Sequence, residues 1–114
     1  MTDEELAALF AEKVLGWRRE PTWATWLDED GRYPMWRRPW QPCTDLNQAM
    51  LGVEGPNLRV ALNYWPDAIW TVAIYEAEQA TGSGLFRKAA ARDEKLARAI
   101  VKARLGALEH PVRG

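Results

Sequence analysis

The stretch that decides the fold is LRVALNYWPDAIWTVAI, residues 58–74. Apolar residues alternate with polar or small residues on both sides of its centre, which is typical of strands with one buried face. The central Trp65-Pro66-Asp67-Ala68 motif has proline in its second position, where proline favours a tight turn. The pattern predicts an antiparallel hairpin with strands at 57–64 and 69–77.

Two helices are predicted before this hairpin. Thr2 and Glu5 form a capping box, and apolar residues then recur at helical spacing, which predicts a first helix over residues 3–15. Gly16 follows it and suits the left-handed position after a helix end. The Pro42-Cys43-Thr44-Asp45 motif predicts the start of a short second helix, with Thr44 as its N-cap.

The segment between the two helices, residues 18–42, contains four prolines, which exclude a helix. We interpret it mainly as an ordered aromatic loop, with a short edge strand over residues 22–27 as the alternative. The Asp28-Glu29-Asp30-Gly31 motif predicts a turn within it.

The structure of the last third of the chain is ambiguous from propensity alone. Helix propensity favours one long helix over residues 85–108, because alanine, lysine and arginine dominate this stretch. The first turns of such a helix would offer mostly alanine as an apolar face. The helix prediction for this stretch is therefore ambiguous.

The composition predicts one globular domain over residues 1–114, because 47% hydrophobic and 27% charged residues argue against disordered, collagenous and membrane classes. No apolar run would span a bilayer, and the acidic first residues differ from a basic signal peptide, so we expect a cytoplasmic protein with no membrane partner. A single cysteine, Cys43, and a single histidine, His110, exclude an internal disulfide and multi-cysteine or histidine metal clusters. We therefore expect no cofactor and no metal.

Charge is unevenly distributed although the net charge is only −1. Residues 1–30 carry eight acids and three bases, whereas residues 84–114 carry eight bases and three acids. We interpret this asymmetry as attraction between the first and last elements or between two copies, with an anion-binding surface as the alternative.

Tryptophan is abundant, with seven residues, of which five lie between positions 17 and 40. A small domain can use these large rings to enlarge its core. The alternative is a stacking platform, favoured by the Trp36-Arg37-Arg38-Pro39-Trp40 motif, where guanidinium groups lie between rings. Exposed tryptophan and oppositely charged ends on so small a domain also predict a homo-oligomer.

Three blocks of the sequence resemble one family, the phage ABA-sandwich domain: AEKVLGW at 11–17, Pro42-Cys43-Thr44-Asp45-Leu46, and ARAIVKA at 97–103, with Trp70 between the last two. The resemblance covers nearly the whole chain. It implies an α+β fold in which a small antiparallel sheet is layered with helices, as an alpha-beta-alpha sandwich, and it implies a phage or prophage origin. It also implies a third strand at 85–90, which we adopt over the long helix. It implies no catalytic residue.

Cationic side chains of the last helix complete the candidate site. Lys95, Arg98 and Lys102 are three and four residues apart and so share one helix face, although a solvated face is the ordinary explanation of such a pattern. The candidate ligand-binding residues are Trp36, Arg37, Arg38 and Trp40 for stacking, and Arg92, Lys95, Arg98 and Lys102 for phosphates.

Three further motifs are weaker candidates. Asp28-Glu29-Asp30 offers oxygen ligands for a hard cation but is more typical of a solvated turn. Cys43 precedes a helix start, yet no fixed base is available to activate it as a nucleophile. The helix start at Thr44 has free N–H groups for a phosphate, which Asp45 would repel.

These residues favour binding over catalysis. We expect a phage-derived, non-enzymatic binding protein that sequesters a cyclic or ADP-ribose-type nucleotide signal of bacterial antiphage immunity, as a sponge. The net charge of −1 argues against duplex DNA as the ligand. The alternatives are a protein-binding regulatory or structural phage module and a metal-dependent nucleotide-processing enzyme that uses Asp28 to Asp30.

Overall fold

The structure is a computed structural model, and it describes residues 1–22, 25–35, 38–54, 58–77 and 85–109. Its elements in chain order are α1 (Asp3–Leu9), a π-helical continuation (Phe10–Val14, the π segment), β1 (Arg18–Glu20), β2 (Thr25–Leu27), α2 (Leu46–Met50), β3 (Leu58–Tyr64), β4 (Trp70–Ala77), β5 (Leu85–Asp93) and α3 (Leu96–Glu109).

The first helix confirms the prediction over 3–15 in extent, although its second half is wider than an α-helix. The Thr2 hydroxyl accepts the N–H of Glu5 at 3.2 Å, as the capping box requires. The π segment follows, and the N–H of Leu15 bonds to the carbonyl of Phe10 at 3.2 Å. Gly16 then takes a φ of +71°, the left-handed conformation expected after a helix end.

The predicted aromatic loop contains a small hairpin. β1 pairs with β2 in an antiparallel two-stranded sheet, and the register places Arg19 opposite Trp26. The alternative of an edge strand within 22–27 is therefore confirmed over Thr25–Leu27. Its partner strand at Arg18–Glu20 was not predicted.

The predicted hairpin with strands at 57–64 and 69–77 is confirmed over the described residues. β3 pairs with β4 in antiparallel register from Leu58 opposite Glu76 to Tyr64 opposite Trp70. The turn closes with the N–H of Ala68 on the carbonyl of Trp65 at 2.9 Å, and Ala68 takes a φ of 63°. A type I turn followed by a left-handed residue is a common way to join two strands with native twist.

β5 completes the three-stranded sheet, in the order β3-β4-β5. The long helix over 85–108 is therefore wrong, and the third strand is longer than the predicted 85–90. Alanine is a weak strand former, but Ala89 and Ala91 pack against the core, where small side chains allow α3 to approach the sheet. The Asp93 carboxylate accepts the N–H of Lys95 at 2.9 Å, just before α3 begins.

The second helix begins one residue later than predicted. Asp45 is its N-cap, because its carboxylate accepts the N–H of Gln48 at 3.2 Å. The expected N-cap, Thr44, instead donates its hydroxyl to the carbonyl of Gln41 at 3.2 Å. Threonine and aspartate both suit an N-cap position. Because the Thr44 hydroxyl is engaged in the preceding turn, Asp45 becomes the N-cap.

α3 occupies the middle of the core. It packs against β4 and β5 on one side, and α1, the π segment and α2 pack against it as well. The largest fully buried side chains include Phe10, Val72, Ile74, Ile100 and Val101. The predicted α+β class, a small antiparallel sheet layered with helices, is confirmed. Within the described ranges, no helix is long and apolar enough to cross a membrane.

Candidate functional site

The strongest candidate site is a pocket of about 270 Å³ beside α1, which we call the Trp26–Trp40 pocket. It combines two indole rings, two alanines, one cation and one acid. The lining residues are Glu4, Ala7, Ala8, Arg19, Trp26 and Trp40. Rings flanking a surface of small side chains suit a flat aromatic group.

The β1–β2 hairpin positions one wall of this pocket. Because Arg19 and Trp26 are directly opposite each other in the register, their side chains lie on the same face of the hairpin. The Arg19 guanidinium carbon lies 5.4 Å from the centroid of the Trp26 ring. This is the distance of a cation–π contact. Trp26 itself is only 5% exposed, so this wall presents the exposed Arg19 guanidinium and a small part of the indole ring to the pocket.

Trp40 forms the other wall and is held by the core. Its indole N–H donates to the carbonyl of Ala7 at 2.8 Å. Its ring stacks on Phe10 with centroids 6.0 Å apart, and its centroid lies 4.7 Å from that of Trp17. Trp40 therefore belongs to the core and to the pocket at once, and its position is fixed before any ligand arrives.

The rest of the predicted stacking group is only partly described. Trp36 and Arg37 lie outside the described residues, as does Trp23. Arg38 is exposed and follows a turn in which its N–H bonds to the carbonyl of Met35 at 3.0 Å.

Two predicted phosphate ligands on α3 are engaged in ion pairs. Arg98 donates to both carboxylate oxygens of Asp3, each at 2.9 Å, and Lys102 donates to Asp93 at 2.7 Å. The hydrogen bond from Arg98 lowers the pKa of Asp3 below its ordinary value. Burial acts to raise the pKa of Asp93, but hydrogen bonds from Lys102 and from the Lys95 N–H outweigh it, so that pKa is also lowered. The two acids therefore offset the charges of Arg98 and Lys102.

The other two predicted phosphate ligands are more exposed. Arg92 forms an ion pair with Asp67 at 3.8 Å, with both side chains largely in solvent. Lys95 is exposed beside the start of α3. Arg92 and Arg98 share a shallow polar pocket, whereas neither lines the Trp26–Trp40 pocket. In the described part of the chain, the stacking and phosphate groups are therefore not brought into one site.

A larger pocket of about 490 Å³ lies between α1 and α3. Its lining residues are Met1, Leu6, Leu9, Lys13, Lys102, Leu105, Gly106 and Leu108. Aliphatic walls lack the flat faces on which a base stacks, so this pocket does not fit the predicted ligand class.

The weaker candidates have structural explanations. The Asp28 carboxylate accepts the N–H groups of Asp30 and Arg32 at 2.9 and 2.8 Å, which stabilises the predicted turn. Cys43 is 1% exposed, and burial raises the pKa of its thiol to about 11, so the thiol is protonated at neutral pH. Among the described residues, no group of three or more histidine, cysteine or acidic side chains could hold a metal ion.

Sequence reasoning did not single out Glu4, Arg19 or Trp26 as site residues. The missing step was the pairing of β1 with β2, because that register alone brings Arg19 over Trp26. The signal available in the sequence was the Trp17-Arg18-Arg19 run followed by Thr25-Trp26-Leu27, two short segments that can pair across a tight connection.

No family model, curated protein or solved structure matches this chain. The resemblance to the phage ABA-sandwich domain therefore stays a prediction. The fold and the pocket are defined by contacts among this chain's own residues.

Proposed function

We propose that this protein is a non-enzymatic binding protein whose Trp26–Trp40 pocket takes the base of a nucleotide. The observation that carries the proposal is the cation–π pair of Arg19 and Trp26, at 5.4 Å, on one wall of a pocket whose other wall is Trp40. The half-buried Trp40 ring can stack with any base, and the Arg19 guanidinium can bind phosphate. A pocket of about 270 Å³ takes only the ring and leaves the sugar and phosphates at the surface.

Energetics favour a ligand with more than one base or phosphate. One stacked base contributes about 1–3 kcal/mol and one charge-assisted phosphate contact about 1.5–3 kcal/mol. Micromolar affinity corresponds to about 8 kcal/mol, so several such contacts are needed. Cyclic dinucleotides, cyclic trinucleotides and cyclic ADP-ribose isomers meet this requirement better than a mononucleotide.

Sequestration is the proposed role, with the protein acting as a sponge for a nucleotide signal of bacterial antiphage immunity. The resemblance to a phage family supports the setting. Burial raises the pKa of the Cys43 thiol to about 11, so this one potential nucleophile is in its unreactive form at neutral pH.

Isothermal titration calorimetry against a panel of these cyclic nucleotides tests the proposal. We expect at least one member to bind with micromolar or tighter affinity. Arg19→Ala should weaken binding about tenfold or more, equivalent to about 1.4 kcal/mol. Arg18→Ala is the matched control, since this exposed neighbour on β1 does not line the pocket. Absence of heat from every member at protein concentrations well above micromolar would reject the proposal.

Recovery of the ligand separates binding from catalysis. After incubation with the protein and Mg²⁺ or Mn²⁺, denaturation and chromatography should return the nucleotide unchanged. A chemically altered nucleotide would instead support the metal-dependent enzyme.

A further inference from the structure

β3 is an edge strand, and no other described strand pairs with its outer side. It lies at one end of the sheet order, and its register with β4 contains no bulge. Its seven residues, LRVALNY, contain no lysine or proline and a single charge, Arg59. The Arg59 guanidinium donates to the carbonyl of Leu58 at 3.0 Å, so a partner strand would have to displace it at that end of β3. The other edge, β5, is protected, because its register with β4 shifts between Ile74 and Tyr75 and it carries the exposed Arg92. Proteins use such bulges and charges to block pairing at an edge.

The free backbone groups of β3 belong to its apolar residues. Trp65 donates its N–H to the carbonyl of Ile69 at 3.0 Å, so its backbone bonds point toward β4. Bonding direction alternates along an antiparallel strand, so Ala61 and Asn63 also bond toward β4. The N–H and C=O groups of Val60, Leu62 and Tyr64 therefore point away from the sheet.

The side chains beside those groups are more exposed than their chemistry favours. Leu62 is opposite Val72, which is fully buried, yet Leu62 is 44% exposed. Tyr64 is 60% exposed although its ring lies 4.9 Å from that of Trp70. The apolar face of the sheet that packs against α3 therefore extends to β3, where α3 no longer covers it and its side chains are exposed.

We infer that the β3 edge pairs with β3 of a second copy of this chain, antiparallel about Ala61, to form a continuous six-stranded sheet. In this register Leu62 faces the second copy's Val60 and Tyr64 faces its Leu58, so apolar residues meet on the core side. Arg59 faces Asn63, so no like charges are opposed. The self-complementary sequence of β3 is what selects a second copy as the occupant. The dimer goes beyond nucleotide binding, because β3 contributes no residue to the Trp26–Trp40 pocket.

Sedimentation equilibrium measures the association. We expect a mass of twice 13.0 kDa at micromolar concentrations of the full chain. Leu62→Lys should return the monomer mass, because a lysine on the edge opposes pairing. Leu108→Lys is the matched control, because this leucine is 43% exposed on α3 and should leave the dimer intact. Circular dichroism and thermal unfolding verify that both variants fold.

Disulfide trapping tests the register. Ala61→Cys places two thiols at the twofold axis, about 4.5 Å apart between Cα atoms in a non-hydrogen-bonded pair, and should cross-link readily on mild oxidation. Asn63→Cys places them four residues apart along the strand, about 13 Å, beyond disulfide reach. The wild-type protein is the control for cross-linking through the native Cys43, which is buried. Three results would overturn the inference. The first is a monomer mass even at a protein concentration about 100-fold above the micromolar range. The others are dissociation by Leu108→Lys but not by Leu62→Lys, and cross-linking of Asn63→Cys but not of Ala61→Cys.

Discussion

Arg98 holds Asp3 through two hydrogen bonds of 2.9 Å each, and this pair ties the last helix to the first turn of the first helix. The contact confirms, for these two residues, the predicted attraction between the acidic start and the basic end of the chain. It also means that a cation selected from the sequence as a phosphate ligand has a structural partner. A ligand phosphate would have to displace that partner.

A double-mutant cycle on this pair measures the coupling between the two helices. Asp3→Asn and Arg98→Ala should each lower the free energy of unfolding, and the double variant should show a coupling energy of about 0.5–1 kcal/mol, the value for a partly exposed ion pair. Urea unfolding at low salt gives the four values. Additive effects of the two changes would contradict the structural role.

Stability should fall in acid because of Asp3 and Asp93. Both carboxyls have a pKa below the ordinary value of 3.8, so the unfolded chain takes up protons first as the pH falls. Their contribution is complete above about pH 5 and is lost as the pH drops through the lowered values. Urea midpoints at pH 7, 5, 4 and 3 should show this loss, with a smaller decline in Asp3→Asn. An unchanged acid decline in that variant would contradict the assignment to Asp3.

Trp40→Phe tests the anchoring of the pocket wall. The change removes the hydrogen bond to Ala7 and some ring area, while an aromatic ring remains to pack on Phe10. We expect a loss of about 1–2 kcal/mol in the free energy of unfolding, measured in urea. Trp65→Phe is the control, because its N–H also makes a bond, to Thr71, but the side chain is exposed, and a loss under about 0.5 kcal/mol is expected. Equal losses in the two variants would contradict the anchoring role.

Two glycines should respond in opposite ways to alanine. A Cβ at Gly52 would overlap the ring of Phe10, which is fully buried, so Gly52→Ala should cost about 1–3 kcal/mol. A Cβ at Gly106 in α3 would meet Ala89 at 3.4 Å, an ordinary contact, and alanine is the better helix former by about 0.8–1 kcal/mol. Thermal unfolding of both variants decides, and a Gly52→Ala protein as stable as the wild type would show that the turn after α2 does not pack against the Phe10 ring.

The sequence was sufficient for elements with strong periodicity or a clear start signal. Alternation around Trp65-Pro66 gave the β3–β4 hairpin, and the Thr2 cap gave the first helix. β5 was different, because its alanine-rich composition favours a helix, and it is pairing with β4 and packing under α3 that stabilise it as a strand. The shift from Thr44 to Asp45 as N-cap likewise depends on a bond between Thr44 and Gln41 that no propensity encodes.

The candidate site was less predictable than the fold, because a pocket requires residues distant in sequence. Trp40 was identified from local composition, whereas Arg19 and Trp26 join it only through the β1–β2 register and through α1. The cations of α3 were read as ligands because a sequence pattern does not reveal that Asp3 and Asp93 lie opposite them.

The most direct test of nucleotide binding at the Trp26–Trp40 pocket is a two-dimensional ¹⁵N NMR titration that follows the indole N–H signals during addition of the tightest-binding cyclic nucleotide. The signals of Trp26 and Trp40 should shift in a saturable manner, with the dissociation constant obtained by calorimetry. The signals of Trp65 and Trp70, which do not line the pocket, should stay in place. Shifts at Trp65 or Trp70 with unchanged Trp26 and Trp40, or no shift at any of the four, would contradict the proposed site.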